Sequence, residues 1–274
     1  MRRVAVIVFV FAVLAGAPVP GFGQWLRYRT EGIPRKPDGK PNLTAPAPRL
    51  PDGHPDLSGL WHAAQPRQCV NSAGDSVPCG LEIGGSPLAG NLGRDLPGGA
   101  LPYQPWAAKL FQERHAALSI DDPHVRCLPD NPPRSWTLPH LTKAVHMPKL
   151  LVLLYEVNAM YRQIFIDGRP FPDDPTPAWN GYSVGHWDGD TLVVETTGLR
   201  DGGWLDVFGT PVTDAAKITE RFRRPSYGRM EIDVTIEDAK VYTKPWTVRV
   251  NQRIMPDQEL LEFVCLENQR YGKH

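Results

Sequence analysis

From about Lys143 onward, apolar and polar side chains alternate with a period of two, the pattern of strands that bury one face. KLLVLLYEV and MYRQIFI flank Asn158-Ala159, and YSVGHW and TLVVETTGL flank Asp188-Gly189-Asp190, both read as turns between strands. KITERFRR and RMEIDVTIED are separated by residues 225–228, and KPWTVRVNQRI and ELLEFVCLEN by residues 255–258. With SGLW near residue 60 these segments make about nine strands. Their connections are short and contain no helix long enough for a parallel crossover. The pattern predicts a mainly β fold, an antiparallel up-and-down (lipocalin-like) barrel of roughly eight to ten strands whose interior can hold one small ligand. No internal repeat stands out.

Upstream the pattern is different. Of 29 prolines, 21 lie in residues 1–150, and proline is excluded from helix interiors and central strands alike. Residues 24–55 therefore read as a proline-rich extended arm, and 56–274 as one barrel domain with an irregular insertion at about 64–140. One short helix interrupts that insertion, with Pro105 at its first position and WAAKLFQERHAALS after it. At the start, Arg2 and Arg3 precede the apolar run VAVIVFVFAVLAG, and Gly21-Phe22-Gly23 stands before Gln24. That is the layout of a cleavable signal peptide over 1–23, too short for a comfortable membrane span. A periplasmic or secreted protein is expected, with no stable membrane insertion once the leader is removed.

The strand faces single out a few charges. In RMEIDVTIED the apolar face carries Met230, Ile232, Val234 and Ile236 and the acids lie opposite, an ordinary division between core and solvent. Other strands place one charge among apolar neighbours: Arg162 beside Ile164, Glu195 beside Val193, Glu220 between Ile218 and Phe222, and Glu262 with Leu260 and Val264. A charge on an apolar face needs a partner. These four are therefore candidates for a lumenal polar cluster, with Glu195 or Glu220 as proton-transfer group and Arg162 as stabiliser of negative charge. Trp179, Tyr182, Trp187, Trp204 and Trp246, with Glu262, are candidate ligand contacts, since rings with a polar handle suit a cavity for a flat or hydrophobic molecule. Core packing accounts equally well for any one of them.

Composition narrows the partners. Thirty basic residues balance thirty acidic ones, so no net field favours nucleic acid. Four cysteines in an exported chain favour disulfides. Cys69 with Cys79 would close a polar loop and Cys127 with Cys265 would tie the middle of the chain to its end, although three connectivities are open. No metal and no cofactor are expected, because the histidines lack ligand spacing. Ser183 in GYSVG runs into a strand, where a nucleophile elbow needs a helix.

The motifs RQIFIDGR, WNGYSVGHWDGDTLVVETTGL, WLD, ITERFRR, the EIDVTIEDAKVYTKPWT run and ELLEFVCLEN, together with PDLSGLW at 55–61, resemble an uncharacterised family of secreted bacterial proteins. The resemblance implies an exported β-rich protein and carries over no activity or catalytic residue. The leading expectation is an exported barrel that binds a small hydrophobic or aromatic molecule, with cofactor-free acid/base chemistry of isomerase, cyclase or lyase type as an extension. The alternatives are an envelope interaction or scaffold protein and a metal-dependent oxygenase that would gather His140, His146 and His186.

Overall fold

The computed structural model describes residues 29–70, 76–83 and 86–265, with side chains left out for residues 66–70 and 76–83. The expected leader and the Cys69–Cys79 pairing lie outside what is described. The chain forms ten strands: β1 (Gly59–Val70), β2 (Ser76–Ile83), β3 (Leu141–Met147), β4 (Leu150–Tyr155), β5 (Tyr161–Phe165), β6 (Tyr182–Asp188), β7 (Thr191–Thr197), β8 (Lys217–Ser226), β9 (Arg229–Glu237) and β10 (Trp246–Ile254). Their order in the sheet is β10-β9-β8-β7-β6-β5-β4-β3-β1-β2, and β10 also pairs with β1. Nine strands thus close a barrel. The long β1 pairs with β3 through Gly59 and His62, with β10 through Trp61 and Ala64, and beyond Ala64 with β2 alone.

Parity then imposes a seam. A ring with an odd number of strands cannot alternate direction at every step, so at least one neighbouring pair must run parallel. In this barrel it is β5 and β6, which share only the pairs Ile164↔Ser183 and Phe165↔Val184. Every other neighbouring pair is antiparallel. The ladder is therefore weakest where the chain departs from an up-and-down barrel.

The inward positions follow the alternation. Met230, Ile232, Val234 and Ile236 of β9, Ile218 and Phe222 of β8, Leu192 and Val194 of β7 and Leu151 and Leu153 of β4 are buried in one core. Trp136 packs into the lumen. This residue sits on the four-residue helix α2 (Arg134–Thr137), after helix α1 (Pro105–Ala116). Its ring meets Tyr155 and Phe222 edge-on at 6.3 and 5.8 Å, and its carbonyl accepts from Gln252 Nε2 at 2.7 Å. The irregular insertion thus supplies a plug.

Three local expectations change. β3 was not foreseen, because its inward side chains are Thr142, Ala144 and His146 while Val145 and Met147 face out, which weakens the apolar alternation. β2 falls where a polar loop was expected. ELLEFVCLEN is not a strand over its described part. The outer edge of β10 is already taken by β1, so no edge remains for it to join. The segment is instead fastened by the Cys127–Cys265 disulfide, which closes 138 positions of chain.

The arm does contain a repeat, contrary to expectation. PRKPDGKPNLT at 34–44 recurs as PRLPDGHPDLS at 48–58. Both copies fold alike. Arg35 and Arg49 donate to the carbonyls of Gly39 and Gly53 at 3.1 and 2.6 Å, and each arginine forms a bridge pairing, with Pro41 and Pro55. Gly39 and Gly53 have φ of +80° and +89°, a region that favours glycine. Arg35 then grips Asp257 and Arg49 grips Asp190 of the β6–β7 turn. The arm is thereby laid across one end of the barrel, its backbone bonding Tyr227 and Gly228 at the β8–β9 turn.

Candidate functional site

Two of the four singled-out charges meet inside the barrel. Arg162 enters from β5 and Glu220 from β8, with relative exposures of 3% and 0%. One guanidinium nitrogen, Nη2, donates to Glu220 Oε2 and, at 2.8 Å, to the Thr196 hydroxyl. Nε donates to Ser183 Oγ at 3.1 Å. The other oxygen of Glu220 accepts the indole N–H of Trp136 at 3.0 Å. Both carboxylate oxygens are thus held by N–H donors, which anchors Glu220 in the barrel. Burial works against the charge on Arg162, but Glu220 and Tyr155 outweigh it and raise its pKa. Burial pushes the neighbouring Tyr155 phenol up, with Arg162 opposing. The Tyr155 hydroxyl interacts with the side chains of Ser135 and Arg162 in this buried corner.

The seam gives that corner a neighbouring cleft. Beyond the two β5–β6 pairs, residues 161–163 and 180–182 diverge around a cavity of about 430 Å³. Tyr161, Phe165, Trp179 and Tyr182 supply its aromatic surface, Gln163 and Asn180 its amides, and Arg162 and Ser183 also line it. Trp179 is fixed through its carbonyl, which accepts from Asn131 Nδ2 at 2.6 Å. Tyr182 packs against Phe165 at 5.4 Å between ring centroids, and Arg169 lies over the Phe165 ring at 3.8 Å. Among the described residues lining the cleft there is no aspartate, glutamate or histidine. The surface is suited to holding a molecule with a flat face.

The remaining candidates are dispersed. Glu195 does not point inward: Leu192, Val194 and Thr196 take the core side of β7, and Glu195 pairs with Lys217 on the outside. The alternation left both faces open, and three consecutive buried residues, Leu192, Val193 and Val194, show why. Glu262 is exposed beyond β10 and lines a separate hollow of about 440 Å³ with Leu260, Leu261 and Tyr161. Trp187 is covered by His54 of the arm, stacked at 4.4 Å. Trp246 is buried against Tyr242, and Trp204 is buried under Arg114, whose guanidinium lies 4.6 Å from its ring. Only Trp179 and Tyr182 of the proposed ligand contacts, with Arg162, line the cleft.

The three histidines of the oxygenase alternative do not converge. His146 is buried on the inner face of β3, His186 is exposed on β6, and His140 lies beside His124 and Phe263. Among the described residues no three metal-ligating side chains form a metal-holding group. Trp136, Tyr155, Thr196 and Asn180 were missed by the sequence reading. Tyr155 and Thr196 could have been found from their alternating positions, whereas Trp136 comes from an irregular segment with no periodicity. No family model, curated protein or solved structure matches the chain.

Proposed function

We propose that this protein binds a small molecule bearing a flat hydrophobic or aromatic face, in the cleft at the parallel seam and not inside the barrel. The observation that carries this reading is the set of rings Tyr161, Phe165, Trp179 and Tyr182 around a cavity of about 430 Å³, within the size range of roughly 300–1,000 Å³ usual for ligand pockets. Inside the barrel, Trp136 packs against Tyr155 and Phe222, which supports a site at the seam over one at the centre. The absence of carboxylate and imidazole groups among the described lining residues favours binding over acid/base catalysis. Export is part of the same proposal. It is supported by the Cys127–Cys265 disulfide and by the leader-like start of the sequence.

The test is calorimetric titration of the mature protein with a panel of mono- and bicyclic aromatic compounds, repeated on W179A and Y182A. Saturable binding by the parent, weakened at least tenfold in both variants, supports the cleft. Binding that both variants retain in full places the ligand elsewhere and overturns the proposal. A second reading, contact with a partner protein, is favoured by Leu118, Ile120 and Leu128, exposed in the segment after α1. It predicts co-purification of one partner that L118S/I120S loses and W179A keeps.

A further inference from the structure

Trp179 lines two hollows, the seam cleft of about 430 Å³ and a second of about 580 Å³. The chain runs directly from one to the other, Pro129 lining the first and Leu128 the second. The Cys127–Cys265 disulfide fastens that stretch, and Asn131 pins the Trp179 carbonyl. The Trp179 backbone is thus held where its residue is shared by both hollows, so one elongated ligand passing Trp179 would touch the two.

The two lobes differ in chemistry. The seam cleft presents rings and two amides, and its one charged lining group, Arg162, is already met by Glu220. The second hollow carries two cations and two anions, Arg114, Arg126, Glu113 and Asp121. Arg126 and Asp121 bond one another at 2.6 Å with side-chain exposures of 63% and 73%, and Arg114 donates to the Gly209 carbonyl at 2.8 Å. An ion entering there meets repulsion as well as attraction, so net charge gives it no advantage. A neutral polyol is different, because each hydroxyl donates to a carboxylate and accepts from a guanidinium.

We infer that the two hollows are one binding groove for a neutral aryl glycoside, its aromatic group in the seam cleft and its sugar beyond Trp179 against Asp121 and Arg126. This rests on the cleft-binding reading and adds the ligand's polar half. Two hollows that share Trp179, one of rings and amides and the other combining Trp204 with charged side chains, match a ligand built from a flat ring and a polyhydroxylated ring, whose C–H face packs on an aromatic surface.

The experiment compares 4-nitrophenyl β-glucopyranoside, 4-nitrophenol and methyl β-glucopyranoside by calorimetry on the full mature protein, on D121A/R126A and on Y182A. The glycoside is expected to bind at least tenfold tighter than 4-nitrophenol. D121A/R126A, altered only at exposed positions, removes that increment and leaves 4-nitrophenol unchanged, while Y182A weakens both aryl ligands. Equal binding of 4-nitrophenol and its glycoside, or a glycoside increment that survives in D121A/R126A, overturns the groove and leaves the cleft reading intact. Loss of all aryl binding from the parent protein overturns both.

Discussion

Arg162 and Glu220 stand on β5 and β8, three steps apart in the sheet, yet they form an ion pair inside the barrel with 2% and 0% of their side chains exposed. The pair crosses the lumen beside the parallel seam and is tied to the plug through Trp136. Removing one partner leaves an unpaired buried charge. E220Q and R162M are each expected to lower unfolding free energy by roughly 3–5 kcal/mol. The double variant R162M/E220L, which removes both charges, is expected to recover most of that loss. Urea denaturation of the four proteins decides it, and a double variant as unstable as the sum of the singles would contradict this account.

The repeated arm supplies a matched internal control. Leu43 and Leu57 occupy the same place in the two copies, but Leu57 is 1% exposed within the core and Leu43 only packs against its surface. L57A is expected to cost roughly 2–5 kcal/mol, as for other fully buried leucines. L43A should cost well under half as much by the same denaturation measurement. R35A removes a partly buried pair and R49A an exposed one, and both should instead speed amide exchange of residues 34–44 and 48–58, leaving the barrel strands protected. Global destabilisation by either arginine variant would show that the arm is integral to the core.

The Cys127–Cys265 link ties the plug-bearing insertion to the segment after β10 across 138 positions. Its removal frees a large denatured-state loop, and C127S/C265S is expected to lose roughly 2–5 kcal/mol of stability. Because Leu260, Leu261 and Glu262 line a hollow against β4 and β5, limited proteolysis of the variant should begin within 255–265. Unchanged stability and an unchanged first cut would mean that this segment is held by packing alone.

Much of the barrel was legible because β4, β5, β8 and β9 bury every second residue, and the period-two pattern needs nothing more. Arg162 and Glu220 were legible for the same reason, as charges at inward positions of otherwise apolar strands. Glu195 was not, because Val193 and Val194 are both buried and the strand gives no preferred face. Closure was also hidden. No local pattern in ELLEFVCLEN shows that β1 already occupies the edge of β10, and no local pattern announces the parallel pair that an odd ring requires. The cleft follows from that pair, so it emerges only at the level of topology. The arm's repeat lay in plain view but was obscured by a composition that argues against regular structure.

His146 Nδ1 accepts the backbone N–H of Leu57 at 3.2 Å, which places the ring's remaining proton on Nε2, and protonation at Nδ1 would break that bond. Burial lowers its pKa from the ordinary 6.5, with Asp56 and Asp52 opposing and His54 assisting. His140 is lowered as well, chiefly by burial, against the pull of Glu156. For a base with a lowered folded pKa, the unfolded chain binds more protons between the two pKa values. Stability is then complete above about pH 6.5 and falls as pH drops below it, by at most about 1.4 kcal/mol per pH unit for each histidine. The carboxylates of Asp190 and Asp257, held below the ordinary 3.8 by Arg49 and Arg35, add their slope only under about pH 4, so the two windows separate. Urea midpoints between pH 5 and 7.5 should fall toward acid in the parent, fall less in H146Q, and be nearly flat in H140Q/H146Q. A parent slope that both substitutions leave untouched would assign the acid sensitivity to other groups and remove His146 as its source.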